Sequence, residues 1–574
     1  MKSNVDWLGN VYVSITPAYR SLLEKQEYDV IFIFMKNIPL LLAFVLVSGC
    51  ATPNRHVDIL VRGAMVYDGT GAAPFDADVG LVGDKIAFVG KASRGVTSGK
   101  TIMATDLALA PGFIDAHSHV PEAAPRLDGP MIDVQDLSQG VTTIMASPDG
   151  ELSPEQMSHL RDMLLTKGVA VNFGCYVGHK GLRDQVMPGL KRAATPDEIA
   201  AMAEKIKQGM EMGCVGLSTG LMYNPGMYAT PQEVQALAAV VKPFGGSYDS
   251  HTRDPGFNMV ASEREAIEVG IAVGIPAKLA HLKATGLINK GRIGEVISMV
   301  ENARAQGHDI VADQYPYDGA TVRALYDLFV LPDGRGDKQT RRGEVLEALA
   351  DTGQRELVRQ ATETGVSGGF SWIKAVGYGN IRIVEAPDDP DLLDANIELL
   401  ARQRGMLPFD LIAALTAKNG VRVTLGTIDE EDIRTLIVKP WVMIASDGEY
   451  VDGVSLERGY AHPRASGSFT RVLGHYARDL KLFPLPEAIR KMTGFPAQHL
   501  GLADRGRIAE GMAADLVLFD PKTVDAKATY ADPAALSVGI RIVFVNGQIA
   551  FEQDKPTGIT AGRFIKRQPY RQAD

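Results

Sequence analysis

The chain has 574 residues, 45% of them hydrophobic and 22% charged, with 59 Lys plus Arg against 69 Asp plus Glu. Those fractions belong to an ordinary globular protein and exclude disordered, collagen-like and coiled-coil classes; the length fits one large domain with additions or two to three smaller ones. A net charge of −10 gives no electrostatic footprint for nucleic acid, and no stretch is long and apolar enough to span a bilayer.

The first readable element is an address. Residues 38–49 form a short apolar run, with Met35-Lys36 before it and Cys50 after it. A positive end, a short apolar core and small residues at its close describe a secretory signal. Val47-Ser48-Gly49-Cys50 resembles a bacterial lipobox, in which the Cys carries lipid and becomes the mature N-terminus. The alternative is a buried helix of this short length. On the signal reading, residues 1–34 are a mistaken start or a long leader, and we read a mistaken start. The protein is then exported, periplasmic or membrane-tethered, and meets the membrane only through lipid on Cys50.

Between residues 105 and 450 short apolar runs alternate with helix-period segments, the pattern of parallel strands in βα units. The runs are 107–114, 141–146, 169–176, 214–219, 245–250, 275–281, 309–313 and 441–446, and eight of them predict an α/β fold closed into a TIM-like (β/α)8 barrel. The clearest helices are predicted over 196–212, 231–242, 260–273 and 291–306; the second follows Thr230-Pro231, an N-cap with proline at the first helical position. The cysteines, Cys50, Cys175 and Cys214, are too few and too scattered for a disulfide framework or a zinc knuckle. Cys175 and Cys214 are expected to pack within strands rather than act as nucleophiles.

In such barrels the catalytic residues sit at the C-terminal ends of the strands. Run one ends in His117-Ser118-His119, run two in Asp149, run five in His251, run six in His281 and run eight in Asp447. Four of the eleven histidines therefore fall at strand ends together with two carboxylates, which predicts a metal site. Residues i and i+2 of an extended chain face the same side, so His117 and His119 can share one ion. His251 and His281 are one βα unit apart and reach a second ion or complete the first. Imidazole with carboxylate suits one or two zinc ions with an open position for water, other divalent metals remaining open.

Pro111-Gly112-Phe113-Ile114-Asp115-Ala116-His117-Ser118-His119 resembles the opening motif of the amidohydrolase superfamily. Further blocks resemble its D-aminoacylases, the N-acyl-D-amino-acid deacylases. These are Gln139-Gly140-Val141-Thr142-Thr143, Gly216-Leu217-Ser218-Thr219-Gly220-Leu221, Asp313-Gln314-Tyr315-Pro316-Tyr317, Ser446-Asp447-Gly448, His462-Pro463-Arg464, Arg490-Lys491-Met492-Thr493-Gly494 and Val545-Asn546-Gly547. They run in the family's order over roughly residues 56–568. The resemblance implies that residues 56–108 and 500–568 meet as a small β-sandwich beside a barrel of 109–499, and that an insertion at about 325–400 covers the active site and gates it.

The resemblance also implies roles. His117, His119, His251 and His281 become metal ligands. Asp447 becomes the carboxylate that takes a proton from metal-activated water and returns it to the leaving amine. The substrate is then a small N-acyl amino acid, whose carboxylate is gripped by Arg464 with Lys283 and Tyr315 in support. The sequence departs from the family at the second strand: relatives carry Asn-Cys-Gly with a ligating Cys, and this chain has Ser147-Pro148-Asp149-Gly150. Asp149 is read as a ligand; the alternative is a plain turn and a one-metal site. Run four contains no lysine to carboxylate, which argues against a cyclic amidase of the dihydroorotase or hydantoinase kind. The residues also leave open a D-residue dipeptidase and a non-catalytic binding lipoprotein. His179 has no assigned role.

Overall fold

The computed structural model describes residues 55–336, 340–366, 371–452 and 461–568. The apolar runs become eight parallel strands: β1 (Phe113–Asp115), β2 (Val141–Ala146), β3 (Asn172–Cys175, continued by Val177–Gly178), β4 (Gly216–Gly220), β5 (Ser247–His251), β6 (Ala277–Leu279), β7 (Ile310–Gln314) and β8 (Val442–Ile444). Each pairs in parallel with the next. The ring closes where Asp447 N donates to His117 O at 3.0 Å and His119 N to Gly448 O at 2.9 Å. Strands covered on both faces carry no polar alternation, which is why Val141–Ala146 is buried at every position.

The run 107–114 is two elements, not one. Ala108–Pro111 pairs antiparallel with Leu516–Phe519 of the C-terminal segment, and the barrel begins only at Phe113. Gly112 is the joint: its N–H leaves the barrel to reach Asp515 O at 2.8 Å, and a Cβ there would meet Thr142 Oγ1 at 2.2 Å.

The outer helices include Pro196–Met212, Pro231–Val241, Met259–Val273 and Ile293–Ala305. Thr195 and Glu198 form a reciprocal capping box at the first, and Thr230 Oγ1 accepts Glu233 N at 3.1 Å at the second.

Both chain ends meet in one β domain, hydrogen-bonded as a single nine-stranded sheet. Its C-terminal strands alternate with period two: Leu516, Leu518 and Phe544 face the domain's own core with Val61, Val79 and Ile86, while Val517, Phe519, Val543 and Val545 join the barrel core. The domain is therefore fixed to the barrel wall rather than tethered to it. The chain after it does not stay in this domain. Gly562 N, Ile565 N and Arg567 N donate to Val169, Phe173 and Gly213, closing the barrel floor under the start of β3 and β4.

The insertion is longer than the predicted 325–400. Its sheet comprises Gly319–Ala324, Arg422–Gly426 and Ile381–Glu385, and it has its own apolar core around Phe329, Val358, Trp372, Ile383 and Phe409. Gly319 pairs with Gly426, so both legs leave the barrel at one point.

Cys175 and Cys214 are joined in a single disulfide, a pairing that the reading of three scattered cysteines without a disulfide framework does not foresee. Cys175 ends the first part of β3, and Val215, next to Cys214, donates its N–H to Cys175 O at 2.8 Å. Neighbouring parallel strands thus set the two residues face to face. The third, Cys50, lies outside the described residues, as does the whole candidate signal segment.

Candidate metal centre

The predicted ligands converge at the C-terminal mouth of the barrel. Asp149 is at their centre. Its Oδ1 lies 3.5 Å from both His117 Nε2 and His281 Nε2, and its Oδ2 lies 3.2 Å from His251 Nδ1 and 4.0 Å from His119 Nε2. Asp447 Oδ1 lies 3.4 Å from His117 Nε2 and 3.3 Å from His119 Nε2. Three overlapping trios of ligand atoms are compact enough for an ion: His117, His281 and Asp447; His117, His119 and Asp149; Asp149, His251 and His281.

The chemistry of these donors fits a cation. Both ring nitrogens of His117, Nε2 of His251 and Oδ1 of Asp149 are buried without a hydrogen-bond partner among the described residues. Buried polar atoms are ordinarily paired; His117 Nε2 and Asp149 Oδ1, both unpaired and 3.5 Å apart, face each other at a point that a divalent ion would satisfy, while His117 Nδ1 faces Asp313 on the other side. A fourth trio, His117 with Asp249 and Asp313, lies deeper. There Lys278 is already the cation, 3.1 Å from Asp249 and in contact with Asp313, so that layer is a buried ion-pair support.

Backbone conformation aims the carboxylates. Asp149, Asp447, His281 and Ser147 all take positive φ, between 36° and 60°. Non-glycine residues hold this conformation at a cost of about 1–3 kcal/mol each, and it concentrates at functional sites. Asp149-Gly150 and Asp447-Gly448 are turns as well as ligand-bearing positions: the turn swings the carboxylate from the strand end into the mouth. At Gly448 a Cβ would come within 2.9 Å of Ala465 Cα.

An outer layer holds the ligands. Glu151 Oε2 lies 3.2 Å from His119 Nδ1, Lys283 Nζ lies 2.7 Å from His281 Nδ1, and Asp115 accepts the backbone N–H of His117 and of Ser446, each at 3.1 Å. Such partners orient metal-binding imidazoles. Burial works against the charge of Asp447, but Arg464 and His281 outweigh it and hold its carboxyl well below the usual range. Burial also pulls the Lys283 ammonium down to about 8, against the attraction of Asp447.

Above the centre lies a cavity of about 270 Å³. His119, Asp149, His251, His281 and Asp447 line its floor, with Lys283 and Arg464 beside them and Arg323 and Trp372 of the insertion also facing it. Arg464 Nη1 is 2.5 Å from Asp447 Oδ2. Tyr315 does not line the cavity. Its buried ring supports the two cations from behind, 4.8 Å from the Arg464 guanidinium and 5.4 Å from Lys283 Nζ. His179 is structural, buried against Glu233 at 3.1 Å. Sequence reasoning misses Glu151, Arg323, Trp372 and Tyr223, which also lines the cavity with its ring 4.7 Å from that of His251. Glu151, two residues beyond Asp149, is within reach of the i, i+2 argument; the insertion residues carry no periodic signal.

An eight-stranded barrel with four imidazoles and two carboxylates at its mouth, and a cationic pair beside them, defines a metal-dependent hydrolase of the amidohydrolase class. The Amidohydrolase family model matches residues 392–551. Over 540 residues the chain is 33% identical to D-aminoacylase of Alcaligenes xylosoxydans xylosoxydans, covering 90% of this chain and 98% of that protein. The chain belongs to the amidohydrolase family, in its D-aminoacylase branch. Among solved structures, D-aminoacylase, described with a binuclear metal centre showing one-metal activation and second-metal attenuation, matches with TM-score 0.70 at 32% identity, over 89% of this chain and all of that one. N-acyl-D-glutamate deacylase of Bordetella bronchiseptica, solved with zinc and a phosphonate mimic of the tetrahedral intermediate, matches with TM-score 0.71 at 27% identity, again over 89% of this chain and 100% of that one.

Proposed function

We propose that this chain hydrolyses the amide bond of N-acyl-D-amino acids, releasing the free amino acid and the acyl acid. The observation that carries this reading is the placement of Arg464 and Lys283 beside Asp447, in the same cavity as His119, His251 and His281. His117, His119, His251, His281, Asp149 and Asp447 would hold the metal, and their nitrogen and oxygen donors suit one or two zinc ions. When bound, such an ion lowers the pKa of water and polarises a carbonyl. Asp447 takes the proton of the attacking water on a carboxylate oxygen and delivers it to the leaving nitrogen. Arg464 grips the α-carboxylate with its planar fork, and Lys283 adds a second positive charge. The insertion supplies Arg323 and Trp372 to the wall and limits access of bulk water.

The test is a hydrolysis panel pairing N-acetyl-D with N-acetyl-L amino acids of apolar, acidic and basic type, with hydantoin and dihydroorotate included and zinc added. Turnover confined to the D-series, abolished by a chelator and restored by zinc, is expected. Turnover of the rings or the L-series, or activity indifferent to chelation, overturns the reading.

We further propose that the protein is exported and tethered by lipid at Cys50. The apolar run before Val47-Ser48-Gly49-Cys50 supports this. So does the Cys175–Cys214 disulfide, a bond that persists in oxidising compartments. Cys50→Ser is expected to move the protein from the membrane fraction to the soluble exported fraction. An unchanged distribution would rule the anchor out.

A further inference from the structure

His462 is buried, and the backbone engages both of its ring nitrogens. Nδ1 lies 3.0 Å from the backbone N–H of Arg464, a group that only donates, so Nδ1 is the acceptor. Nε2 lies 2.8 Å from the carbonyl oxygen of Gly319, which only accepts, so Nε2 carries the proton. The ring is thereby fixed as one neutral tautomer, and burial together with the adjacent Arg464 charge opposes any second proton.

The Gly319 end of this bridge is the root of the insertion. Gly319 N donates to Tyr530 Oη at 2.7 Å, and Tyr530 donates in turn to Asp318 Oδ1 at 2.7 Å. The carbonyl of Asp318 accepts Thr427 N at 3.1 Å and Ile428 N at 2.9 Å, which ties the returning leg to the same point. The Tyr530 ring stands edge-on to His462 at 5.1 Å. A Cβ on Gly319 would come within 2.6 Å of both Thr424 Oγ1 and Tyr530 Oη, so the joint is packed as well as hydrogen-bonded.

We infer that His462 is a positioning residue that couples the root of the insertion to Arg464, so that the arginine holds its place only while the root is latched. For catalysis the inference rests on the reading of Arg464 as the carboxylate receptor; the mechanical coupling does not. One imidazole, with a donor on one side and an acceptor on the other, transmits a shift of Gly319 to the backbone of Arg464. The element carrying Arg323 and Trp372 is thus in register with the group proposed to grip the substrate.

Two variants of the full, metal-loaded enzyme test this. His462→Asn keeps an acceptor for Arg464 N but is too short to reach Gly319. Tyr530→Phe loosens the root without removing either hydrogen bond of His462. Breaking the latch at His462 or at Tyr530 predicts a rise in KM for N-acetyl-D-amino acids of about tenfold in each variant, with little change in kcat and none in metal content. Hydrogen exchange without substrate is expected to quicken both in peptides covering 319–324 and in the peptide containing Arg464. Faster exchange at the root alone, or a fall in kcat at constant KM, overturns the coupling. If the wild-type enzyme turned over none of these substrates, the functional reading would fail while the exchange experiment still decided the coupling.

Discussion

Arg464 Nη1 and Asp447 Oδ2 form an ion pair of 2.5 Å, so the proposed receptor of the substrate's carboxylate is also the counter-charge of the proposed base. On that proposal an incoming carboxylate would compete with Asp447 for the guanidinium and free Asp447 as it binds. Truncating one partner of a buried charge pair costs about 2–5 kcal/mol in binding, which predicts a loss of roughly 30-fold or more in kcat/KM for Arg464→Ala. Arg464→Lys keeps the charge without the planar fork and is expected to fall between the alanine variant and wild type. The deciding comparison is an N-acetyl-D-amino acid against the matching N-acetyl amine, which lacks the carboxylate. Equal losses on both would mean that Arg464 serves Asp447 and not the substrate.

Asp149 lies within 4.0 Å of a ring nitrogen of each of the four histidines. Its carboxylate would be a ligand shared by the His117–His119 pair and the His251–His281 pair when metal is bound. Asp149→Ala is expected to lower bound zinc by about one ion per chain, because the remaining imidazoles lack a shared anionic ligand. Asp149→Cys, which puts a softer thiolate at the same position, is expected to bind zinc more tightly than the native carboxylate. Metal analysis after dialysis against graded chelator checks both. Unchanged stoichiometry in Asp149→Ala would reduce Asp149 to a turn residue.

Glu233 makes a prediction about acid. Buried near the start of Pro231–Val241, it is paired with Arg183 and His179 and accepts Ala194 N at 3.2 Å. Burial opposes its charge, yet the hydrogen bonds from His179 and Arg183 win and lower its pKa from 4.5 to about 2. The unfolded chain therefore binds this proton more readily than the folded one. The stabilisation is complete above about pH 4.5 and is lost as pH falls toward 2. In urea unfolding, Glu233→Gln is expected to be less stable than wild type at pH 7, with a gap that narrows steadily from pH 4.5 downward. A gap independent of pH would show that the ionised pair contributes nothing specific.

Much of the barrel and its metal centre is legible because parallel strands buried on both faces write themselves as unbroken apolar runs, and barrel chemistry hangs from their C-terminal ends. His117 and His119, His251, His281 and Asp447 can be read this way without coordinates. The first run misleads because a β-domain strand and a barrel strand abut, with only Gly112 between them. The insertion's limits are hidden because its sheet assembles from segments distant in the chain, so no local pattern marks Gly319 and Gly426 as neighbours. Trp372 and Arg323 face the cavity through that tertiary packing, and their own sequence surroundings do not mark them. Tyr315 is legible as a motif tyrosine, but its packing against the Arg464 and Lys283 cations is not, because that contact is made between distant segments.

The disulfide escapes the sequence for a different reason: counting cysteines asks whether a framework exists, not whether two lone residues face each other. Cys175 and Cys214 are 39 residues apart, one at the end of Asn172–Cys175 and the other just before the neighbouring strand Gly216–Gly220. A bond closing a loop of that length restricts the unfolded chain by about 4 kcal/mol in the chain-entropy account. The double variant Cys175→Ala, Cys214→Ala is therefore expected to keep the native circular dichroism and zinc content, since neither residue touches the metal centre. Its urea midpoint should fall by an amount equivalent to a few kcal/mol. Wild-type protein unfolded with a reductant present should approach the variant, while wild-type without reductant should not. Equal midpoints for variant and wild type, with both thiols titrating in the denatured wild type, would show that the strands merely bring two free cysteines together. The use of the bond as support for export would then fail too.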